Sequence, residues 1–274
     1  MAAMAPAPYG FEVRAGLPVL TFPLLADHRV DMVVTTRAGG ISTGPYATLD
    51  LGLHVGDDPA AVVANRERAA AAVGVDLEDF VFARQVHGRD VAEVGAADRG
   101  RGTRSQEDTV GEFDALLTRC PRVGVAVLVA DCAPIGLYDP VTASLAVVHA
   151  GWRGAVAGVA AAAVEALAAG GSRREDILAF QGPAVPPEAY QVGEDVATAA
   201  AESFGSSVGD VLAADGTGKW TFDVWGANER VLASAGLRPG NVTTARLPTR
   251  GGRWFFSDRA ERPCGRFALL AVLR

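Results

Sequence analysis

Four histidines (His28, His54, His87, His149) and three cysteines (Cys120, Cys132, Cys264) are all the imidazole and thiol chemistry in these 274 residues. Three of them close apolar runs: His87 in "FARQVHG", Cys132 in "VAVLVADC" and His149 in "LAVVHAG". A strand that needed only burial gains nothing from ending in imidazole or thiol. Strand ends in α/β proteins converge on crevices where ligands bind. Two imidazoles and a thiolate form a three-donor set suited to zinc, with the fourth tetrahedral position left for water or substrate. The spacing is not that of a zinc finger. Spacing alone does not separate a metal site from a buried cysteine and two core histidines. The same residues also fit a Cys–His pair, with Cys132 as a nucleophile activated by imidazole. Asp131 would then be a general acid/base, an orienter of a ligand histidine, or a strand-end carboxylate bonded to a backbone amide.

Two glycine-rich stretches surround these candidates. In "HAGWRG", Gly151 and Gly154 permit a tight turn, and Arg153 adds a cation where a helix is expected to begin. Free amides at a helix start beside an arginine suit an anion; the plainer alternative is a strand-to-helix turn with Trp152 in the core. In "TTRAGGISTGPYATLDLGLHVGDD" (35–58), Arg37 follows a strand, and Gly39, Gly40 and Gly44 surround Ser42, Thr43 and Tyr46. Such a loop suits phosphate or ribose hydroxyls, although the P-loop lysine is missing. Its alternative is a chain of tight turns, with His54 either joining the site or fixing the loop.

The elements that must position these residues are short. The runs at 30–37, 80–88, 114–118, 124–132, 144–151, 177–182, 242–249 and 267–274 are Val/Leu/Phe-rich and bounded by Gly, Pro or charge, which predicts strands. A turn at Tyr138–Pro140 would make the segments of Cys132 and His149 neighbours. Helices are expected over 57–74, with an Asp58 cap and Pro59 at the first position, and over 154–171, 193–205 and 223–237. Continuous apolar strands imply sheets covered on both faces. Residues 94–112, rich in Gly and charge, read as an exposed loop and a candidate lid. Residues 1–20 read as a flexible Pro/Ala-rich tail and 21–274 as one domain.

Composition narrows the function classes. With 49% hydrophobic and 21% charged residues the chain is of globular type, and a net charge of −7 argues against nucleic acid or anionic membrane as partner. No stretch approaches the roughly 18 apolar residues of a membrane span, and the N-terminus lacks the basic head and apolar core of a signal peptide. The expected location is the cytoplasm. Three widely spaced cysteines do not form a disulfide framework.

Taken in order, "TTRAGGISTGPYATLDLGLHVGDD", "RQVHG", "DALLT", "VADCAPIGLYDP", "VVHAGWRG", "GPAV", "YQVG" and "FFSDR" resemble the YfiH-like family, also called multicopper polyphenol oxidase or laccase domain proteins and purine nucleoside phosphorylases. The resemblance implies a mixed α+β fold of layered sheets with outer helices. It implies a metal, zinc with copper as the alternative, held by His87, Cys132 and His149. It implies phosphorolysis of adenosine, inosine, guanosine or methylthioadenosine, with adenosine deamination as a second activity, so that the partners are a purine nucleoside and phosphate. Arg37 matches the arginine of the family's first motif, and with Cys132 and Asp131 it makes the expected catalytic set. Arg37, Ser42, Tyr46, Asp50 and Arg153 make the expected substrate contacts. Asp50 stands where the family commonly has Asn, which puts base preference in question. Copper-dependent phenol oxidation needs several coppers with their own His and Cys ligands, and four histidines do not supply them. A hydrolase editing peptidoglycan precursors through Cys132, and a non-catalytic partner protein, are the other readings.

Overall fold

Strands without a polar break must be covered on both faces, and the computed structural model, which describes residues 7–216, 218–251 and 253–274, shows what covers them. One sheet runs β1 (Gly10–Arg14), β2 (Leu17–Thr21), β3 (Val30–Thr35), β15 (Phe267–Leu273), β7 (Gly124–Val129), β4 (Phe80–Val81). A second runs β14 (Val242–Thr244), β10 (Leu178–Gln181), β8 (Ala133–Asp139), β9 (Ser144–Ala150), β6 (Ala115–Thr118), β5 (Val91–Glu93). Both mix parallel and antiparallel pairs. A small third sheet holds β11 (Gln191–Val192), β13 (Trp220–Phe222) and β12 (Leu212–Ala214).

Strand β7 shows how the layers form. Val125, Val127 and Val129 join the layer between the two large sheets, with Leu116, Leu145, Val147 and Phe180. Ala126 and Leu128 belong instead to the cluster under α1 (Pro59–Ala71), with Ala69 and Ala70. Beyond the second sheet, Ala160, Ala163 and Val164 of α3 (Val159–Ala169) and Leu232 of α5 (Val224–Ser234) cover Leu117, Ile135 and Leu137. Helices α2 (Trp152–Ala157) and α4 (Glu194–Phe204) pack on the third sheet. Each buried Val or Leu contributes about 1.5–3 kcal/mol, and the period-two alternation within unbroken apolar strands lets one strand serve two layers. The fold is the expected mixed α+β sandwich.

Several local expectations change. Of the expected tail over 1–20, residues 1–6 lie outside the described residues, and β1 and β2 form a hairpin. Ala15 (φ 48°) and Gly16 (φ 80°) make its two-residue turn, and Leu17, Val19 and Leu20 are buried, because the alternation after the turn outweighs the Pro/Ala-rich start. The expected helix over 154–171 is two helices, broken where Gly158 turns left-handed (φ 76°). The run 242–249 is a strand only to Thr244. The turn expected at Tyr138–Pro140 masks β8 in the sequence, since Tyr138 and Asp139 end the strand instead. Cys132 therefore lies on the crossover from β7 to β8, not on a strand beside β9.

The loop over 94–112 is not a free lid. Arg66 of α1 is 2% exposed. It donates to the carbonyls of Gly102 (2.7 Å), Thr103 (2.9 Å) and Leu51 (2.8 Å). Backbone bonds from Phe82 N to Arg101 O and Val110 N to Phe82 O fasten the same loop beside β4.

Candidate metal centre

His87 does not end a strand. After Val81 the chain leaves the first sheet, and Gln85 replaces strand pairing with its side chain: its Nε2 donates to Leu128 O and its Oε1 accepts from Leu128 N, both at 2.7 Å. Two residues on, His87 adopts a left-handed backbone (φ 61°). Asp114, fully buried just before β6, holds that turn by accepting from Val86 N (3.2 Å), His87 N (3.0 Å) and Gly88 N (2.6 Å). The same carboxylate meets His149 Nδ1 at 2.7 Å, so Nε2 is the nitrogen left for a ligand. One carboxylate thus sets the geometry of two histidines. Sequence reasoning offers Asp131 as one candidate for that work and misses Asp114, whose signal is an acidic residue directly preceding an apolar strand.

The third donor arrives from the crossover. Asp131 turns left-handed (φ 84°), and its carboxylate accepts from Thr249 Oγ1 (2.5 Å) and Arg259 N (2.6 Å). It straps the 249–259 segment to the crossover. The donor atoms of His87, Cys132 and His149 then lie within 4.8 Å of one another, and the two imidazoles meet edge to face at 4.8 Å between centroids. Tetrahedral bonds of about 2.0–2.3 Å set donors roughly 3.3–3.8 Å apart, so the trio would close on an ion by a small inward movement of its side chains. Gly151 completes the cradle, because a Cβ there would stand 2.5 Å from Cys132 Sγ. Without a metal the charges are those of a thiolate–imidazolium pair, and a cation would take the place of the proton on His149 Nε2. Burial opposes ionisation of the Cys132 thiol, but His149 and hydrogen bonds from both histidines outweigh it and bring the thiol down to about 6. Burial likewise opposes charge on His149, which the thiolate and Asp114 nonetheless bring up to about 9. A cysteine already biased to thiolate is the form that binds metal.

The trio opens on a cleft of about 1160 Å³ that Asp131, Trp152, Arg153, Tyr190, Arg259, Arg266, His54 and Gln106 also line. The Arg153 guanidinium lies 4.4 Å over the Trp152 ring and that of Arg259 5.3 Å over Tyr190. Neither pairs with a carboxylate among the described residues. Burial and the nearby Cys132 push the Tyr190 phenol up, so it stays a proton donor.

The rest of the expected site stands elsewhere. Arg37 donates to Ala47 O (3.0 Å), lies 4.5 Å over Phe256, and lines a smaller neighbouring pocket. Ser42 Oγ accepts from Asn65 Nδ2 (2.8 Å), and the Tyr46 hydroxyl donates to Val55 O (2.8 Å). Asp50 is fully buried, accepting from Gly52 N (2.9 Å) and Arg266 N (2.7 Å). Ser42, Tyr46 and one oxygen of Asp50 hold the loop, Arg37 also pairs with Glu261, and none of the four lines the cleft. Tyr190, Arg259 and Gln106 do reach it. They come from stretches far apart in sequence and carry no motif.

Residues 31–274 match the family model described as "Multi-copper polyphenol oxidoreductase laccase". The chain is 40% identical over 234 residues to "Purine nucleoside phosphorylase ORF3" of Streptomyces griseus, covering 85% of this chain and 90% of the relative. It is 34% identical over 231 residues to "Adenosine deaminase RL5" from an unknown prokaryotic organism, covering 84% and 88%. The crystal structure of the Bacillus licheniformis hypothetical protein YfiH superposes with a TM-score of 0.92 at 31% identity, covering 96% of this chain and 99% of that one.

Proposed function

The chain belongs to the YfiH-like, multi-copper polyphenol oxidoreductase laccase family, and we propose that it is a zinc-dependent purine nucleoside phosphorylase. It would convert adenosine, inosine, guanosine or methylthioadenosine to free base and sugar 1-phosphate, with adenosine deamination as a second reaction. The names of its relatives support this reading, and one observation carries it. Three metal donors sit in a cleft whose wall presents two guanidinium groups, Arg153 and Arg259, stacked on aromatic rings and without carboxylate partners among the described residues. Arg259 gives one nitrogen to Gln191 O, and neither guanidinium group is neutralised by a carboxylate among the described residues, which suits them to phosphate.

His87, Cys132 and His149 would hold the metal, which supplies a Lewis acid or lowers the pKa of a bound water. Arg153 and Arg259 hold phosphate against the anomeric carbon, where a phosphate oxygen bonds as the glycosidic C–N bond breaks. The Tyr190 hydroxyl, kept protonated by burial, donates a hydrogen bond into the cleft. Asp114 keeps the proton of His149 on Nδ1. Asp131 acts through position, fixing the segment that carries Arg259. We read residues 21–274 as the catalytic unit, completed by the hairpin before it. No helix among the described residues is long and apolar enough to cross a membrane.

Chelator treatment followed by add-back tests this reading. Inosine phosphorolysis should fall to background when the metal is stripped and return with zinc. Cys132, His149 and Asp114 also line up as nucleophile, base and orienter, which favours a cysteine hydrolase acting on wall peptides as the second reading. Chelator-resistant activity abolished by thiol alkylation would select it.

A further inference from the structure

The cleft lining also holds a pair of polar groups that the mechanism above does not use. His54 Nδ1 and Gln106 Nε2 are 3.4 Å apart, and both side chains line the cleft. His54 comes from the glycine-rich loop and Gln106 from the loop that Arg66 fastens, so the two meet because a buried arginine ties both loops together. Neither makes another side-chain hydrogen bond among the described residues.

We infer that His54 and Gln106 form a two-state reader of the purine edge, taking 6-amino and 6-oxo bases by exchanging donor and acceptor roles. The inference rests on the phosphorylase reading and assigns its base subsite. In one state Gln106 Nε2–H donates to His54 Nδ1. The pair then presents an acceptor, Gln106 Oε1, and a donor, His54 Nε2–H. In the other, the amide is flipped and the imidazole carries its proton on Nδ1, donating to Gln106 Oε1. The pair now presents a donor, Gln106 Nε2–H, and an acceptor, His54 Nε2. Adenine offers an amino donor beside the N1 acceptor and matches the first state. Hypoxanthine and guanine offer a carbonyl acceptor beside the N1–H donor and match the second. No atom need move beyond an amide flip and a proton shift between ring nitrogens.

The exchange requires a neutral imidazole. Desolvation by the cleft walls, with the charges of Arg266, Arg66 and His149, lowers His54 to about 4, so the ring is neutral at physiological pH.

Gln106→Glu breaks the symmetry, because a carboxylate only accepts and holds His54 as an imidazolium. The pair is then fixed as acceptor plus Nε2–H donor, which suits the amino group and N1 of adenine and opposes both the carbonyl and the N1–H of a 6-oxo base. In that variant the ratio of kcat/KM for adenosine to that for inosine should rise by about tenfold, the scale of one hydrogen bond made or lost. Gln106→Leu, which can neither donate nor accept, should slow both nucleosides and leave the ratio within about twofold of wild type. Binding of free adenine and hypoxanthine, measured by calorimetry, should follow the same pattern. An unchanged ratio in Gln106→Glu, with wild-type turnover intact, would overturn the inference and leave the phosphorylase reading standing. Absence of nucleoside turnover in the wild type would instead defeat that reading, and this inference with it.

Discussion

Two glycine-punctuated stretches, 37–57 and 149–154, look alike in sequence and work differently in the fold. In the first, Gly40 is pressed against its own loop: a Cβ there would stand 2.1 Å from Thr48 O and 2.6 Å from Asn65 Oδ1. Asn65, fully buried on α1, accepts from Ile41 N and donates to Ser42 Oγ, Thr48 O and Asp50 O. The Ser42 and Tyr46 hydroxyls that suggested a ligand are already used. In the second stretch, Gly151 is pressed against Cys132 Sγ, and Arg153 stacks on a ring with no carboxylate partner among the described residues. A glycine-rich segment is a ligand loop when its polar groups are left unsatisfied by the protein, and a structural knot when they are not.

That contrast can be broken at four places. Cys132→Ala should have the largest effect, removing the bound metal and lowering both nucleoside activities by at least about a thousandfold if the metal supplies the transition-state charge; the metal content of the purified variant and turnover of inosine and adenosine check it. Gly151→Ala puts a methyl group into the thiol's position. We expect metal affinity and kcat/KM to fall by about 10–100-fold while the melting temperature moves little, a dissociation that metal titration and calorimetry would reveal.

Asn65→Ala should do the reverse. Stripping four hydrogen bonds from a buried loop costs about 2–4 kcal/mol, seen as a lower urea midpoint, with kcat near wild type at temperatures where the variant is folded. The smallest effect belongs to Asp50, whose Oδ2 is buried without a hydrogen-bond partner among the described residues. Burial raises its pKa from 3.8 to about 6, against the hydrogen bonds from Gly52 and Arg266. A raised carboxyl favours the folded state while it is protonated. Its contribution is complete below pH 3.8 and is lost as pH rises through about 6. Asp50→Asn should therefore stabilise the protein at pH 8 by about 2 kcal/mol, with the gain shrinking toward pH 4, and urea unfolding across that range would show that trend or refute it.

Much of the centre was legible because its chemistry is rare in the chain. With four histidines and three cysteines available, residues closing apolar runs stood out, and the fold brought His87, Cys132 and His149 together. The way they meet was not legible. It depends on Gln85 imitating a strand partner, which no pattern of apolar residues can show, and on one carboxylate, Asp114, serving two histidines. Strand β8 was obscured because Tyr138 and Asp139 precede Pro140 and carry turn character locally, while register with β9 and β10 makes them strand. The rest of the cleft wall was legible only in part. Arg153 and His54 stood out in glycine-rich motifs, whereas Tyr190, Arg259 and Gln106 come from separate segments that only tertiary packing puts around one space.

The most direct test of the central claim is release of hypoxanthine from inosine by metal-replete protein, measured with and without inorganic phosphate. The account predicts release that requires phosphate, with ribose 1-phosphate formed in equal amount. Release that proceeds equally without phosphate, or no release under either condition, would contradict it.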